Sequence, residues 1–279
     1  MDASQEAFRA CGSRRKEGQA GAQNGRAICL YANYQLRFSV PMISADSDWY
    51  RSSWFYGQRE ATVKSSAVDH PVPWNFARAL SAIESAPRRK LLDVGCAEGQ
   101  FLYMARRIGF DVTGLDFNPV SLQIARNVFG ISSVYQYSVE ELAERFPGAS
   151  FDVVTMFEVL EHTADPLGML KSLTKVMKPG ALPLSVPGWK RWPVLFHPEV
   201  DSPPHYLTLW TEEALAKILK RAGLEVRMIT RKPLCVDDFG VHIKWRVQGI
   251  LRQFRRHGRL TQNGAVSREK MAGTEGDLR

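Results

Sequence analysis

A doubly wound α/β fold, its mostly parallel sheet covered on both faces by helices, is predicted by three features of this sequence. Lys90-Leu-Leu-Asp-Val94 is an apolar run that ends in Gly95-Cys-Ala-Glu-Gly99 and passes at once into a helical pattern, the order of a strand, a tight turn and a helix start. Asp111-Val-Thr-Gly-Leu-Asp116 is a second short strand ending in a carboxylate, about 20 residues after the glycine turn. Strand-like and helix-like segments then alternate about six times, as a parallel sheet requires, because each crossover needs a connection as long as a helix. Gly95 and Gly99 let the backbone approach a ligand without a Cβ in the way, and the N–H groups of the following helix face the turn. The turn therefore suits a nucleotide-like ligand whose ribose rests on Asp116.

The totals set bounds on this scheme. With 279 residues, 44% of them hydrophobic, the chain can bury a full core as one domain with extensions. Cys11, Cys29, Cys96 and Cys235 are scattered without paired spacing, which points to neither a disulfide framework nor a zinc site and to a reducing, cytoplasmic setting. No apolar stretch approaches the roughly 18 residues of a membrane-spanning helix, and the first residues lack a signal-peptide core. The net charge of +8 is local: residues 240–260 hold six of the 37 Lys and Arg and no acid, leaving 31 against 29 acidic residues elsewhere. Such a segment suits an anionic partner, and a solvated helix face is the plainer alternative.

In chain order, residues 1–41 are rich in small and polar residues before an apolar patch from Ile28 to Val40, and are expected to form a poorly ordered extension ahead of a domain at 42–238. Met42 opens the patterned part of the chain, so the upstream segment is expected to be dispensable. Trp49, Tyr50, Trp54, Phe55 and Tyr56 crowd together, with Trp74 and Phe76 beyond the breaker run His70-Pro-Val-Pro73. Phe101, Leu102, Ala105 and Ile108 give the first core helix one apolar face. Asn118-Pro119 caps and opens the next, with Leu122, Ala125 and Phe129 inward. Ser133–Tyr137 is the third strand, Ser138-Val-Glu-Glu141 a helix start, and Phe151–Met156 a wholly buried fourth strand with Phe157 at its end. Asp165-Pro166 caps a helix with a Leu167, Leu170, Leu173, Met177 stripe, terminated at Lys178-Pro-Gly180. Ala181–Val186 is the fifth strand, although Pro183 lacks the N–H that a central ladder uses. Thr211 caps a last core helix that ends at Gly223. Leu224–Thr230 follows as a strand, with Leu234–Val236 as its antiparallel partner. Ile243, Val247, Ile250, Leu251 and Phe254 share one face of a basic amphipathic helix over 239–260, and 261–279 reads as a disordered tail.

Leu92-Asp-Val-Gly-Cys-Ala-Glu-Gly99, Gly114-Leu-Asp116 and Phe151-Asp-Val-Val-Thr-Met-Phe-Glu-Val-Leu-Glu-His162, in this order and spacing, resemble the class I S-adenosylmethionine-dependent methyltransferases, and among them the ubiquinone-biosynthesis type O-methyltransferases. The resemblance spans roughly residues 46 to 235 and implies a Rossmann-like, mostly parallel seven-stranded sheet that binds S-adenosyl-L-methionine. Carried over residue by residue, it implies that Asp116 holds the ribose, Gly95, Cys96, Ala97 and Gly99 the methionine end, and Asp93 the turn and the cofactor's amino group. Phe117, Val139 and Glu140 then lie by the adenine, and Met156 and Phe157 on the cofactor flank. Two positions depart from the pattern: Ala97 stands where a glycine is common, and Asn75 where the ubiquinone-type enzymes use an arginine. Relatives place an N-terminal segment over the site, so the aromatics of 49–56 either line an acceptor pocket or pack on the sheet.

Methyl transfer from a sulfonium needs positioning more than covalent help, and an in-line geometry shielded from water supplies on the order of 7 kcal/mol of the barrier. A hydroxyl acceptor must also lose its proton near neutral pH. Glu158, Glu161 and His162 follow the fourth strand at the carboxyl end of the sheet, where i, i+3 and i+4 share one face of a helical turn. His162 with Glu161 is the candidate general base, and a brace for the loop is the alternative. With His205 added, the pattern resembles the metal-dependent members among ubiquinone-type and small-RNA 2′-O-methyltransferases. That implies a divalent ion, Mg, Mn or Zn, on Glu158, Glu161, His162 and His205, with His197 competing for the last place. Pro187–Tyr206 alternates aromatic and basic residues in a loop long enough to be a substrate lid. The expected acceptor is a small-molecule, quinone-precursor, lipid-linked or sugar hydroxyl, with peripheral contact at the inner membrane face through 240–260. No recognised RNA-binding motif supports a nucleic-acid partner. An RNA methyltransferase and a non-catalytic scaffold that keeps the fold are the rival functions.

Overall fold

Strand β3 (Lys90–Val94) is the centre of a parallel sheet because its residues from Leu91 onward are apolar or hydrogen-bonded and buried on both faces. The structure, a computed structural model, describes residues 27–31, 36–40, 42, 72–86, 90–145, 151–188 and 205–233. β3 pairs with β4 (Asp111–Leu115) on one side and with β6 (Phe151–Phe157) on the other. Beyond β4 lies β5 (Val134–Tyr135), and beyond β6 lie β7 (Met177–Ala181) and β8 (Leu184–Ser185). Every one of these pairs is parallel, and Asp93 lies level with Gly114 and Thr155. The chain builds outward from β3 to β5, then returns to the opposite side of β3 as β6. That reversal opens a crevice at the carboxyl ends of β3 and β6.

Period-two alternation sends β3 to both faces. Leu91 and Val153 join Phe101, Leu102, Leu122 and Ala125 in one apolar cluster; Leu92, Val94 and Val154 join Leu170, Leu173 and Trp210 in the other. The first cluster receives α1 (Trp74–Ile83), α2 (Gln100–Arg107) and α3 (Pro119–Asn127). The second receives α4 (Val139–Arg145), α5 (Pro166–Val176) and α6 (Glu212–Arg221). Fully burying each Leu of this kind contributes about 1.5–3 kcal/mol, so the doubly wound arrangement follows from the residue pattern. The expected caps form: Asn118 Oδ1 accepts the Val120 N–H, Asp165 Oδ1 the Gly168 N–H and Thr211 Oγ1 the Ala214 N–H. Ser138 and Glu141 add a reciprocal capping box, each accepting the other's backbone N–H.

Several segments differ from the expectation. Residues 27–31 and 36–40, expected within a poorly ordered extension, form an antiparallel hairpin, β1 (Ala27–Tyr31) and β2 (Leu36–Val40), and β2 pairs in turn with β9 (Thr208–Leu209). The partner strand lies some 170 residues downstream, beyond the reach of local periodicity. The fifth strand is split: α5 stops at Val176, Lys178-Pro-Gly180 continues in β7, and the chain breaks at Leu182-Pro183 before β8. Pro183 sits in that break and contributes its carbonyl, which accepts the Met156 N–H at 3.1 Å. The sheet holds six strands among the described residues, against the seven expected. Leu224–Thr230 is not one of them: Leu224 and Val226 pack partly on the core, while Met228 and Ile229 are exposed.

All these elements belong to one compact unit, residues 1–191 with 199–232; a second unit, 192–198 with 233–279, lies outside the described residues except for Pro233. The aromatic segment 49–56, most of the expected lid with His197, the basic helix over 239–260 and the tail 261–279 also fall outside the described residues.

Candidate functional site

The carboxyl ends of β3, β4 and β6 gather most of the expected site residues. After Val94 the chain turns so that both the Gly95 and Cys96 N–H groups donate to the Leu115 carbonyl, at 2.8 and 2.9 Å. Gly95 has φ +74° and a Cβ there would overlap Cγ2 of Val159, so both the conformation and the contact demand glycine. Gly114, the first residue of the Gly114-Leu-Asp116 motif, is a packing glycine: a Cβ would lie 2.6 Å from Leu102 Cδ1 and 2.7 Å from Cys96 Sγ.

Asp116 follows β4 directly, its carboxylate turned back over the glycine turn. Oδ2 accepts the Ala97 N–H at 2.9 Å and Oδ1 the Asn118 N–H at 2.8 Å. The carboxylate oxygens have lone pairs beyond these bonds, which is the accepting capacity that a ribose hydroxyl requires, so Asp116 fits the adenosyl group of S-adenosylmethionine. Burial raises the Asp116 carboxyl above its ordinary value, and the backbone bonds from Asn118 and Ala97 oppose that rise.

Ala97 adopts φ 46°, the left-handed region that glycine occupies freely. Replacing it by glycine is expected to raise stability by about 0.5–1 kcal/mol, the left-handed penalty less the extra chain entropy of glycine. A thermal melt of Ala97→Gly with unchanged cofactor affinity checks this.

Asp93 lies 2% exposed at the end of β3, and Thr155 Oγ1 donates to its Oδ1 at 2.7 Å. Burial pushes its carboxyl up to about 7, with the Thr155 bond opposing and nearby Asp116 adding to the rise. Thr155 is legible as the lone hydroxyl in the apolar run Val153–Phe157 of β6, since buried polar groups are hydrogen-bonded.

The remaining cofactor candidates divide by burial. Phe117 is 59% exposed beside Asp116, and Glu140 is exposed in the first turn of α4. Cys96, Val139 and Met156 have side chains inside the core, so any contact with a bound cofactor is limited to their backbone. Phe157 is half-buried in a ring cluster with Phe76 and Phe101, centroids 4.7–5.2 Å apart.

Beyond Phe157 the chain makes a second left-handed turn at Glu158, φ 55°. Such strain in a side-chain-bearing residue costs on the order of 1 kcal/mol and collects at functional sites. Glu158 Oε1 accepts the Ser185 hydroxyl at 2.8 Å, and Ser185 Oγ accepts from Asn75 Nδ2 at 3.2 Å. Asn75, standing where the ubiquinone-type pattern has an arginine, is thus tied to the Glu158 turn through Ser185. Ser185 was invisible to patterning because its partners lie 27 and 110 residues away.

Leu160–His162 follows as a single 3-10 turn. Nδ1 of His162 lies 2.5 Å from the His205 carbonyl; because a carbonyl only accepts, this nitrogen carries the ring proton and Nε2 holds the lone pair. Glu161 is fully buried with Oε1 3.8 Å from His162 Nε2. Burial, and secondarily His205, lower the His162 pKa to about 4, so the ring is neutral at physiological pH. His205 stacks on Tyr206 with centroids 4.5 Å apart, and Tyr206 meets His162 edge-on at 5.1 Å.

The expected metal set does not assemble. Among the described residues, no three His, Cys, Asp or Glu side chains gather as a metal-binding group. Glu158 is bonded to Ser185, Glu161 is buried, and the Nδ1 of His162 is turned to a backbone carbonyl. The local pattern E-x-x-E-H places Glu158 ahead of a 3-10 turn and Glu161 within it, and the α-helical face that would align them is not formed.

Against known proteins, a family model described as a methyltransferase domain matches residues 70–228, more than half of the chain. A ubiquinone biosynthesis O-methyltransferase of Xanthomonas campestris pv. campestris is 37% identical over 116 residues, 40% of this chain and 46% of that protein. The protein of the same name from Erwinia tasmaniensis is 44% identical over 96 residues, 33% of this chain and 39% of that protein. The chain thus spans less than half the length of these curated relatives. Among solved structures, a chain from the complex of the Haloferax volcanii Trm112 methyltransferase activator superposes with a TM-score of 0.52 at 20% identity, covering 66% of this chain and 78% of its own. That likeness supports the fold.

Proposed function

The chain belongs to the methyltransferase domain family, and from that premise we propose that it is an S-adenosylmethionine-dependent methyltransferase acting on a hydroxyl oxygen of a small-molecule acceptor. One observation carries the proposal: the ribose-type carboxylate of Asp116 and the His162 turn follow β4 and β6, the two strands on either side of β3, so both lie at the carboxyl edge of the sheet where the switch point between β3 and β6 opens. The cofactor, when bound, supplies a methyl group on an already activated sulfonium. Asp116 and the turn 95–99 hold it. Nε2 of His162 takes the acceptor's hydroxyl proton, with the buried Glu161 side chain 3.8 Å from that nitrogen. No step is routed through a metal ion, since the four expected ligands do not form one donor set.

The name of the curated relatives supports a catechol-like quinone precursor as the first acceptor to try. Transfer of a labelled methyl group to catechols, and to lipid-linked and sugar hydroxyls, tests the proposal. Transfer that survives EDTA is the expected result. Transfer lost on chelation and restored by Mg, Mn or Zn would overturn the metal-free base, and failure to bind S-adenosylhomocysteine would overturn the enzyme. Asp116→Ala removes at least one charge-assisted hydrogen bond worth about 1.5–3 kcal/mol, so titration calorimetry should show S-adenosylhomocysteine binding roughly 10- to 150-fold weaker. The basic segment 240–260 supports peripheral contact with an anionic membrane face on the cytoplasmic side, which vesicle flotation with and without that segment tests.

A further inference from the structure

The β1–β2 hairpin lies upstream of everything the family model matches, yet its backbone is wired to the His162 turn. β2 bonds β1 on one side and β9 on the other, with Arg37 opposite Leu209 and Phe38 opposite Thr208. The path continues past the strand. The Ser39 N–H donates to the Leu207 carbonyl at 2.8 Å, and the Leu207 N–H donates to the Glu161 carbonyl at 2.8 Å. His205, two residues before Leu207, supplies the carbonyl that meets His162 Nδ1. Residues 36–40, 205–209 and 160–162 are therefore joined by main-chain bonds into one block. Ser39, Leu207 and Thr208 are each 1% exposed, so these bonds are shielded from water and the loss of one strands a buried polar group. Leu36 anchors β2 in the same apolar cluster as Leu160 and Trp210, with Phe38 packed against it.

We propose that the β1–β2 hairpin is a positioning element for the acceptor side of the site: by holding residues 205–209 it fixes the orientation of His162. The proposal rests on His162 acting on the acceptor. Asp116 and the turn 95–99, which hold the cofactor in this reading, use none of these bonds, so the hairpin governs turnover and leaves cofactor affinity alone.

Two variants of the full chain test it. Ser39→Pro removes the N–H that Leu207 accepts, and Ser39→Ala keeps it. Ser39→Pro is expected to lower kcat by about tenfold to a hundredfold, the scale of a sub-ångström to ångström misplacement. The dissociation constant for S-adenosylhomocysteine should stay within about twofold, as for distant sites that share no partner. Hydrogen exchange at the Leu207 amide should rise, and Ser39→Ala should keep both the turnover and the slow exchange of the parent. Equal loss of turnover and S-adenosylhomocysteine binding in Ser39→Pro would make the hairpin a general scaffold and overturn the proposal. So would unchanged exchange at Leu207. That exchange is read without turnover, so it judges the ladder even if His162→Gln leaves catalysis intact, an outcome that would sink the base assignment instead.

Discussion

His162→Gln is expected to lower kcat roughly a hundredfold to ten-thousandfold, the usual worth of a positioned general base, while leaving S-adenosylhomocysteine affinity near that of the parent. Its Nδ1–H is committed to the His205 carbonyl, so the neutral ring has its proton-accepting nitrogen on the other side. With its pKa near 4 this base is already neutral above about pH 5. Turnover should therefore show no acid limb at 6.5, where an ordinary imidazole titrates, and a profile flat from about 5.5 to 7 is the signature. A limb near 6.5 in the parent enzyme would show that the ring is exposed during turnover. A variant that keeps full kcat would reduce His162 to a brace. The same depressed pKa has a consequence for folding. Between about 4 and 6.5 the unfolded chain binds the proton that the folded ring refuses, so this group makes stability rise with pH across that window and has its full effect above it.

Local chemistry was legible in the sequence, and long-range pairing was not. Asn118, Asp165 and Thr211 cap the helices that their spacing announced, because a cap is a bond between residues two or three apart. Gly95 and Asp116 fall into place for the same reason, the bond from the Ala97 N–H to Asp116 joining two ends of one βαβ unit. The hairpin at 27–40 went unseen since its buried face is defined by residues 205–210, and Ser185 went unseen since its role comes from Asn75 and Glu158 meeting it in space. The failed strand at Leu224–Thr230 teaches the converse. An apolar run becomes a strand only where a ladder partner is available, and periodicity measures burial, not pairing.

Asp93→Asn is expected to make the protein more stable at pH 8 than its parent and to cost it cofactor affinity. The carboxyl ionises at 3.8 in the ordinary chain and at about 7 in the fold. From about pH 4 to 7 the folded state therefore holds a proton that the unfolded state has released, and stability falls as pH rises through that range. Above 7 the full penalty of a buried carboxylate is present, on the order of 4 kcal/mol as an upper limit. An amide cannot ionise and can still accept the Thr155 hydroxyl through its oxygen, so the variant escapes this penalty. Below 6.5 the opposite slopes of Asp93 and His162 largely offset each other in the parent, so the gain is read by comparing melting temperatures of variant and parent at pH 5 and pH 8. It should be small at the first and largest at the second. A buried acid that destabilises the fold at working pH is the kind of group whose charge a functional site uses, and the cofactor's charge gives the test. S-adenosylmethionine carries a net positive charge and S-adenosylhomocysteine does not. Affinity for the former should tighten as pH rises through 7 in the parent and stay level in Asp93→Asn, with the latter ligand nearly indifferent in both. A variant that binds both ligands as the parent does, at every pH, would leave Asp93 a strained packing residue with no part in cofactor recognition.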